Sequence, residues 1–167
     1  MGLDISVYTK LTPAASDLDE DGNPTAPSTI VIRQDLIEWS DKFGGAKRTE
    51  GITAGIYAYE KSGGFRAGSY SGYNHWRSWL AEISGSGSAK SVWESGETEG
   101  PFFELINFAD NEGYIGPVVA AKLAKDFAEF QGKAEAADEN DGWNVKLYNE
   151  WRAAFEMAAD GGLVDFH

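Results

Sequence analysis

The chain predicts an α+β fold: an antiparallel sheet of about four to five strands, with three to four helices packed mainly on one face. Three observations carry this. Alternating apolar residues mark strands early, as in Leu3, Ile5 and Val7 against Asp4, Ser6 and Tyr8. Apolar residues at helical spacing dominate the second half, as in Val119, Leu123, Phe127 and Phe130. Finally, Tyr73-Asn74-His75-Trp76-Arg77 returns 75 residues later as Tyr148-Asn149-Glu150-Trp151-Arg152. On a helix, Tyr at i, Trp at i+3 and Arg at i+4 share one face, so each copy can bury two rings with a guanidinium beside them.

Leu3–Thr9 is the first strand. Ser16–Pro27 is a polar turn region, Thr29–Arg33 a second strand or bridge, and Leu36–Phe43 a short helix with Leu36, Ile37 and Trp39 apolar. Gly51–Glu60 alternates again, and Ser62-Gly63-Gly64 reads as a tight turn pairing it with Phe65–Tyr70 in a hairpin. A helix starts at Ser71 or Gly72 and runs to about Ser84, with Tyr73, Trp76, Leu80 and Ile83 on one stripe. Residues 84–100 read as a flexible Gly/Ser/Glu-rich loop, pinned to the body by Val92-Trp93. Pro101 opens a short helix, Phe102–Phe108. Gly116-Pro117 opens the longest, to about Ala137, with proline at its first position. The last, Trp143–Ala159, carries Leu147, Trp151, Phe155 and Ala158 and is capped by Gly161-Gly162. Leu163–Phe166 adds an edge strand. The flanks of the repeated pentapeptide do not align, so convergent helix anchoring explains it better than duplication.

A length of 167 residues suits one domain, 1–167, able to bury on the order of two-thirds of its unfolded surface. There are no cysteines, so disulfides, thiol nucleophiles and cysteine–metal sites are excluded. No apolar run approaches the length that spans a bilayer, and the amino terminus has no secretory pattern, so a cytoplasmic location and no membrane partner are expected. The net charge of −13 is uneven: residues 1–81 hold ten acids and eight bases, residues 82–167 seventeen and six. Such a field repels nucleic acid, argues against direct nucleic-acid binding, and draws basic protein surfaces or cations. The plainer reading is a solubilising surface.

Among motifs, Asp17-x-Asp19-x-Asp21-Gly22 matches the front half of a calcium loop, but Ser28 stands where the bidentate Glu belongs, and ordinary turn chemistry explains the segment. Gly68-Ser69-Tyr70-Ser71-Gly72 is no nucleophile elbow, since Tyr70 holds the nucleophile position. Gly85–Ser91 lacks the glycines of a phosphate loop, and no cofactor motif is present. Asp110 and Glu112 precede a helix start, where carboxylates cap; a carboxylate-based hydrolase would give them acid and base roles. The strongest candidate is the strand-to-helix corner Phe65–Arg77. Its Arg66, Ser69, Tyr70, Tyr73, Asn74, Trp76 and Arg77 gather guanidinia, hydroxyls, an amide and rings around two glycines. Set against this, Tyr73 and Trp76 suit a core equally well.

The segments FRAGSYSGYNHWR (65–77) and LINFADNEGYIGP (105–117), with the opening MGLDI and the closing AFEMAADGGLVDFH, resemble an uncharacterised family of small proteins from bacteriophages and prophage-bearing bacteria. The resemblance implies phage or prophage origin and assigns no residue a role. The first expectation is therefore a non-enzymatic phage-type accessory protein that binds a basic host protein through its acidic half, as an anti-defence factor or nucleic-acid mimic. The alternatives are a nucleotide or sugar pocket at the Phe65–Arg77 corner, and the carboxylate hydrolase.

Overall fold

The computed structural model describes residues 2–109 and 111–167. In chain order the elements are β1 (Gly2–Tyr8), β2 (Thr12–Pro13), β3 (Thr29–Ile32), α1 (Gln34–Lys42), a 3-10 turn (Phe43–Gly45), β4 (Gly55–Ala58), β5 (Ser62–Ser69), α2 (Tyr70–Ile83) and α3 (Ala89–Ser95). There follow α4 (Phe103–Ile106), β6 (Gly113–Ile115), α5 (Pro117–Ala136), α6 (Trp143–Ala158) and β7 (Leu163–Phe166). The class is α+β, but the strands form two antiparallel sheets rather than one, of four strands (β5-β1-β7-β6) and three (β2-β4-β3).

One bent ribbon joins the two sheets. β1 pairs with β5, Tyr8 opposite Ser62, and β2 pairs with β4, Thr12 opposite Ala58, so the register continues through the break. At the bend Lys10 takes φ 50°, while the Thr9 N–H donates to Lys61 O and the Glu60 N–H to Thr9 O, each at 3.0 Å. The expected hairpin between Gly51–Glu60 and Phe65–Tyr70 therefore does not form. Gly63 and Gly64 lie inside β5, opposite Val7 and Ser6, rather than in a turn. Their smallness serves close approach: a Cβ on Gly64 would lie 2.6 Å from the Ile5 carbonyl oxygen.

β7 is not an edge strand but sits between β1 and β6. Its short apolar run is buried on both faces. Val164 and Phe166 join Leu3, Ile5 and Val7 under α2, α5 and α6, whereas Leu163 joins Ile32 and Tyr114 in a smaller core closed by Leu36 and Ile37 of α1. Helices thus cover both faces, with the larger set on one. β6 has no counterpart among the expected strands, and its three residues are too few to show alternation.

The two pentapeptides meet in the main core. Trp76 and Trp151 stack with centroids 5.9 Å apart, Tyr73 lies 5.9 Å from Trp151, and Tyr148 lies 6.2 Å from Trp79. Their arginines part ways. Arg152 bonds Glu156 at 2.8 Å and Gln131 at 3.1 Å near the surface, while Arg77 is buried.

The 84–100 stretch, expected to be all loop, contains α3. A reciprocal cap starts it, with the Ser91 N–H donating to Ser88 Oγ at 3.1 Å and the Ser88 N–H to Ser91 Oγ at 2.7 Å. Val92 packs on the core, but Trp93, expected to help pin the segment, is 57% exposed.

Candidate cleft beside a buried arginine

The Phe65–Arg77 corner does not form one site, because strand alternation and helix periodicity send its residues three ways. Arg66 points away from Ala67 and the core. It is exposed and ion-paired with Asp4 at 3.0 Å, its guanidinium lying where any Cβ on Gly2 would intrude. Ser69 is spent on capping α2, accepting from the Gly72 N–H at 3.1 Å. Tyr70 is half-buried against the core. Tyr73 and Trp76 are core residues: the Tyr73 hydroxyl donates to Phe108 O and Trp76 Nε1 to Asn144 O, each at 3.1 Å. Burial pushes the Tyr73 phenol well above its ordinary value.

Of the described residues in the predicted set, Asn74 and Arg77 alone line a common cleft, of about 480 Å³. Arg77 is 7% exposed. It donates through Nη1 to Ile106 O and through Nη2 to Asn74 Oδ1, the latter at 2.6 Å, while its Nε has no partner. Among the described residues no carboxylate lies within ion-pairing distance of it. Burial depresses its pKa, partly offset by the neighbouring Tyr73. A guanidinium taken out of water without a counter-charge is costly, and unmet buried polar groups call for a reason.

The other walls were not legible in the sequence. Lys90 and Trp93 come from α3, Phe43 from the 3-10 turn, and Asn107 from the end of α4. Asn107 is 6% exposed and its Oδ1 is also unpaired, so two residues that line the cleft each keep a buried polar atom without a partner among the described residues. Gly44, at φ 65°, permits this, since a Cβ there would lie 2.3 Å from Asn107 Nδ2. An aromatic ladder runs inward from Trp93 through Phe43 to Phe108, with centroid spacings of 6.4 and 6.1 Å.

Arg48 fixes these walls. It is fully buried and donates to Glu104 O (2.8 Å), Ser40 O (2.9 Å), Phe43 O (2.7 Å) and Asn107 O (3.3 Å), with its guanidinium 4.9 Å from the Phe108 ring. Burial lowers its pKa to about 10, so it stays charged at neutral pH. The Gly-Gly-Ala-Lys-Arg context has no periodicity that would reveal it.

Asp110 lies outside the described residues. Glu112 is exposed, and its charge acts on Asp165, whose carboxyl is pushed up to about 7 by burial first and by Glu112 second. Asp165 lies on β7, and neither it nor Glu112 lines the cleft. Asp17, Asp19 and Asp21 form a turn in which Asp19 Oδ1 accepts from the Asp21 and Asn23 N–H groups at 3.0 and 2.8 Å. Among the described residues no group of three acids or histidines is placed to hold a metal. No helix is long and apolar enough to cross a membrane, again among the described residues.

Comparison of the chain with protein-family models, with curated proteins and with solved structures finds no match.

Proposed function

We propose that this chain is a binding protein whose cleft takes a small ligand carrying a carboxylate or phosphate on an apolar or aromatic body, nucleotides included. The observation that supports this is Arg77, a buried guanidinium that lines a cleft with aromatic walls, has no acid partner among the described residues and keeps one N–H without an acceptor among them. Anion forks suit guanidinium, and the Phe43 and Trp93 faces suit a flat body. Lys90 adds charge at the rim, paired only loosely with Glu94 at 3.7 Å. Such a pocket accords with an accessory protein of phage type, the origin that the sequence resemblance suggests.

A library of nucleotides, sugar phosphates and aryl carboxylates, screened by thermal shift, tests the reading. A hit is expected that Trp93→Ala weakens about tenfold, the order expected for losing one well-packed aromatic contact, and that Arg77→Met abolishes. Silence across all three classes would sink it.

A second reading has its own support. Glu135, Asp138, Glu139 and Asp141 crowd the α5–α6 turn, are exposed, and have no cation partner among the described residues. This surface would dock a basic host protein, with affinity falling as salt rises. Capture that is unchanged when these four acids are neutralised would count against it.

A further inference from the structure

A second concavity lies along α2, between that helix and the α5–α6 turn, enclosing about 860 Å³. Glu82 and Glu139, the indoles of Trp79 and Trp143, and Asn144 line it; His75 is the one basic side chain among the described residues that does. Asn144 is 8% exposed, and its side-chain amide makes no hydrogen bond among the described residues; only its backbone carbonyl is engaged, by Trp76 Nε1.

The walls are held in place. Trp79 Nε1 donates to Ala137 O at 3.0 Å and ties the turn to α2. Trp143 packs on Gly68, where a Cβ would lie 3.2 Å from its ring, yet remains half-buried with part of the indole facing the groove. Asn140, Asp141 and Gly142 follow one another in left-handed conformation, with φ of 62°, 54° and 82°. For the two non-glycine residues this costs on the order of 1 kcal/mol each. Strain of that kind persists where the surrounding contacts over-determine a local geometry, here the turn that delivers Trp143 and Asn144 to the groove.

We propose that this groove receives an arginine or lysine side chain of a basic partner protein. Two carboxylates supply counter-charge, the half-buried Trp143 indole attracts a cation through its quadrupole, and the Asn144 amide oxygen can accept from the incoming N–H groups. Phosphate-bearing ligands are repelled by the same carboxylates. The proposal rests on the basic-partner reading above and gives it a point of contact, distinct from the Arg77 cleft on the neighbouring flank of α2.

The probe is the peptide acetyl-Gly-Gly-Arg-Lys-Arg-Gly-Gly-amide, titrated into the ¹⁵N-labelled full chain while the indole N–H resonances are read. Saturable shifts are expected at Trp79 and Trp143. Glu82→Gln with Glu139→Gln should weaken binding about tenfold, the order expected when two exposed ion pairs are lost together. Glu20→Gln with Asp21→Asn makes the same charge change at a remote turn and should have little effect. Trp143→Phe keeps the packing while shrinking the aromatic face, and should also weaken binding. If both charge pairs weaken the peptide equally, net charge alone binds it; the groove is then refuted while the docking reading stands. Absence of any binding at low salt overturns both. Spermidine producing the same shifts at equal affinity overturns the assignment to a protein side chain.

Discussion

The Arg77 guanidinium lies 5.4 Å from the centre of the Tyr73 ring, one turn earlier on the same helix, and this ring stands where a carboxylate would be expected. A ring face offsets part of the desolvation cost of a cation but supplies no counter-charge. Arg48 is treated differently, with four backbone carbonyls around it. The two buried arginines should therefore respond differently to replacement. Arg48→Met leaves four acceptors without their donor and is expected to cost about 3–5 kcal/mol. Arg77→Met frees one backbone acceptor and the Asn74 amide oxygen, and removes a charge that has no acid partner among the described residues, so a change within about 1.5 kcal/mol is expected. Urea unfolding of both variants checks the contrast; equal losses would mean that Arg77 is as structural as Arg48.

Two glycine substitutions should have opposite signs. Gly132 lies within α5, and a Cβ there meets nothing within 4 Å, so Gly132→Ala should stabilise by about 0.5–1 kcal/mol. In Gly64→Ala the new methyl would crowd the Ile5 carbonyl at 2.6 Å, and the bent ribbon must shift, costing about 1–3 kcal/mol. Thermal midpoints of the two variants report on this directly.

Asp165 predicts a pH dependence. Its folded pKa is raised to about 7 from an ordinary 3.8. Between those values the folded state holds a proton that the unfolded state has released. Stability from this group is therefore complete below about pH 4, falls as pH rises, and is lost above about pH 7. The total is on the order of 1–3 kcal/mol once partial exposure is allowed for. Asp165→Asn should flatten that slope and raise stability at pH 8; a slope unaltered by the substitution would assign the effect elsewhere.

Much of the local structure was legible in the sequence, and little of the pairing. α5 and α6 follow from their apolar stripes and their proline and glycine ends, and β1 from its alternation. Strand partners are decided by non-local contacts, so Gly63-Gly64 looked like a turn when it marks a close crossing of backbones. Leu163–Phe166 looked like an edge because four residues cannot declare burial on both faces. α3 escaped because its cap is Ser88 with Ser91 rather than the commoner Ser with Glu, inside a Gly/Ser-rich stretch. Of the candidate site, Asn74 and Arg77 were identifiable from helix position. Phe43, Lys90, Trp93 and Asn107 converge on them from three other segments, and no local pattern announces that.

The cleft itself is tested most directly by ¹⁵N NMR of the Arg77 Nε–H and the Trp93 indole N–H during titration with phenyl phosphate, which joins an anion to a flat apolar body. Saturable shifts at both resonances, with Arg66 Nε–H unmoved, are the predicted result. Shifts that never saturate, or that leave Arg77 untouched while exposed lysines respond, would contradict the account.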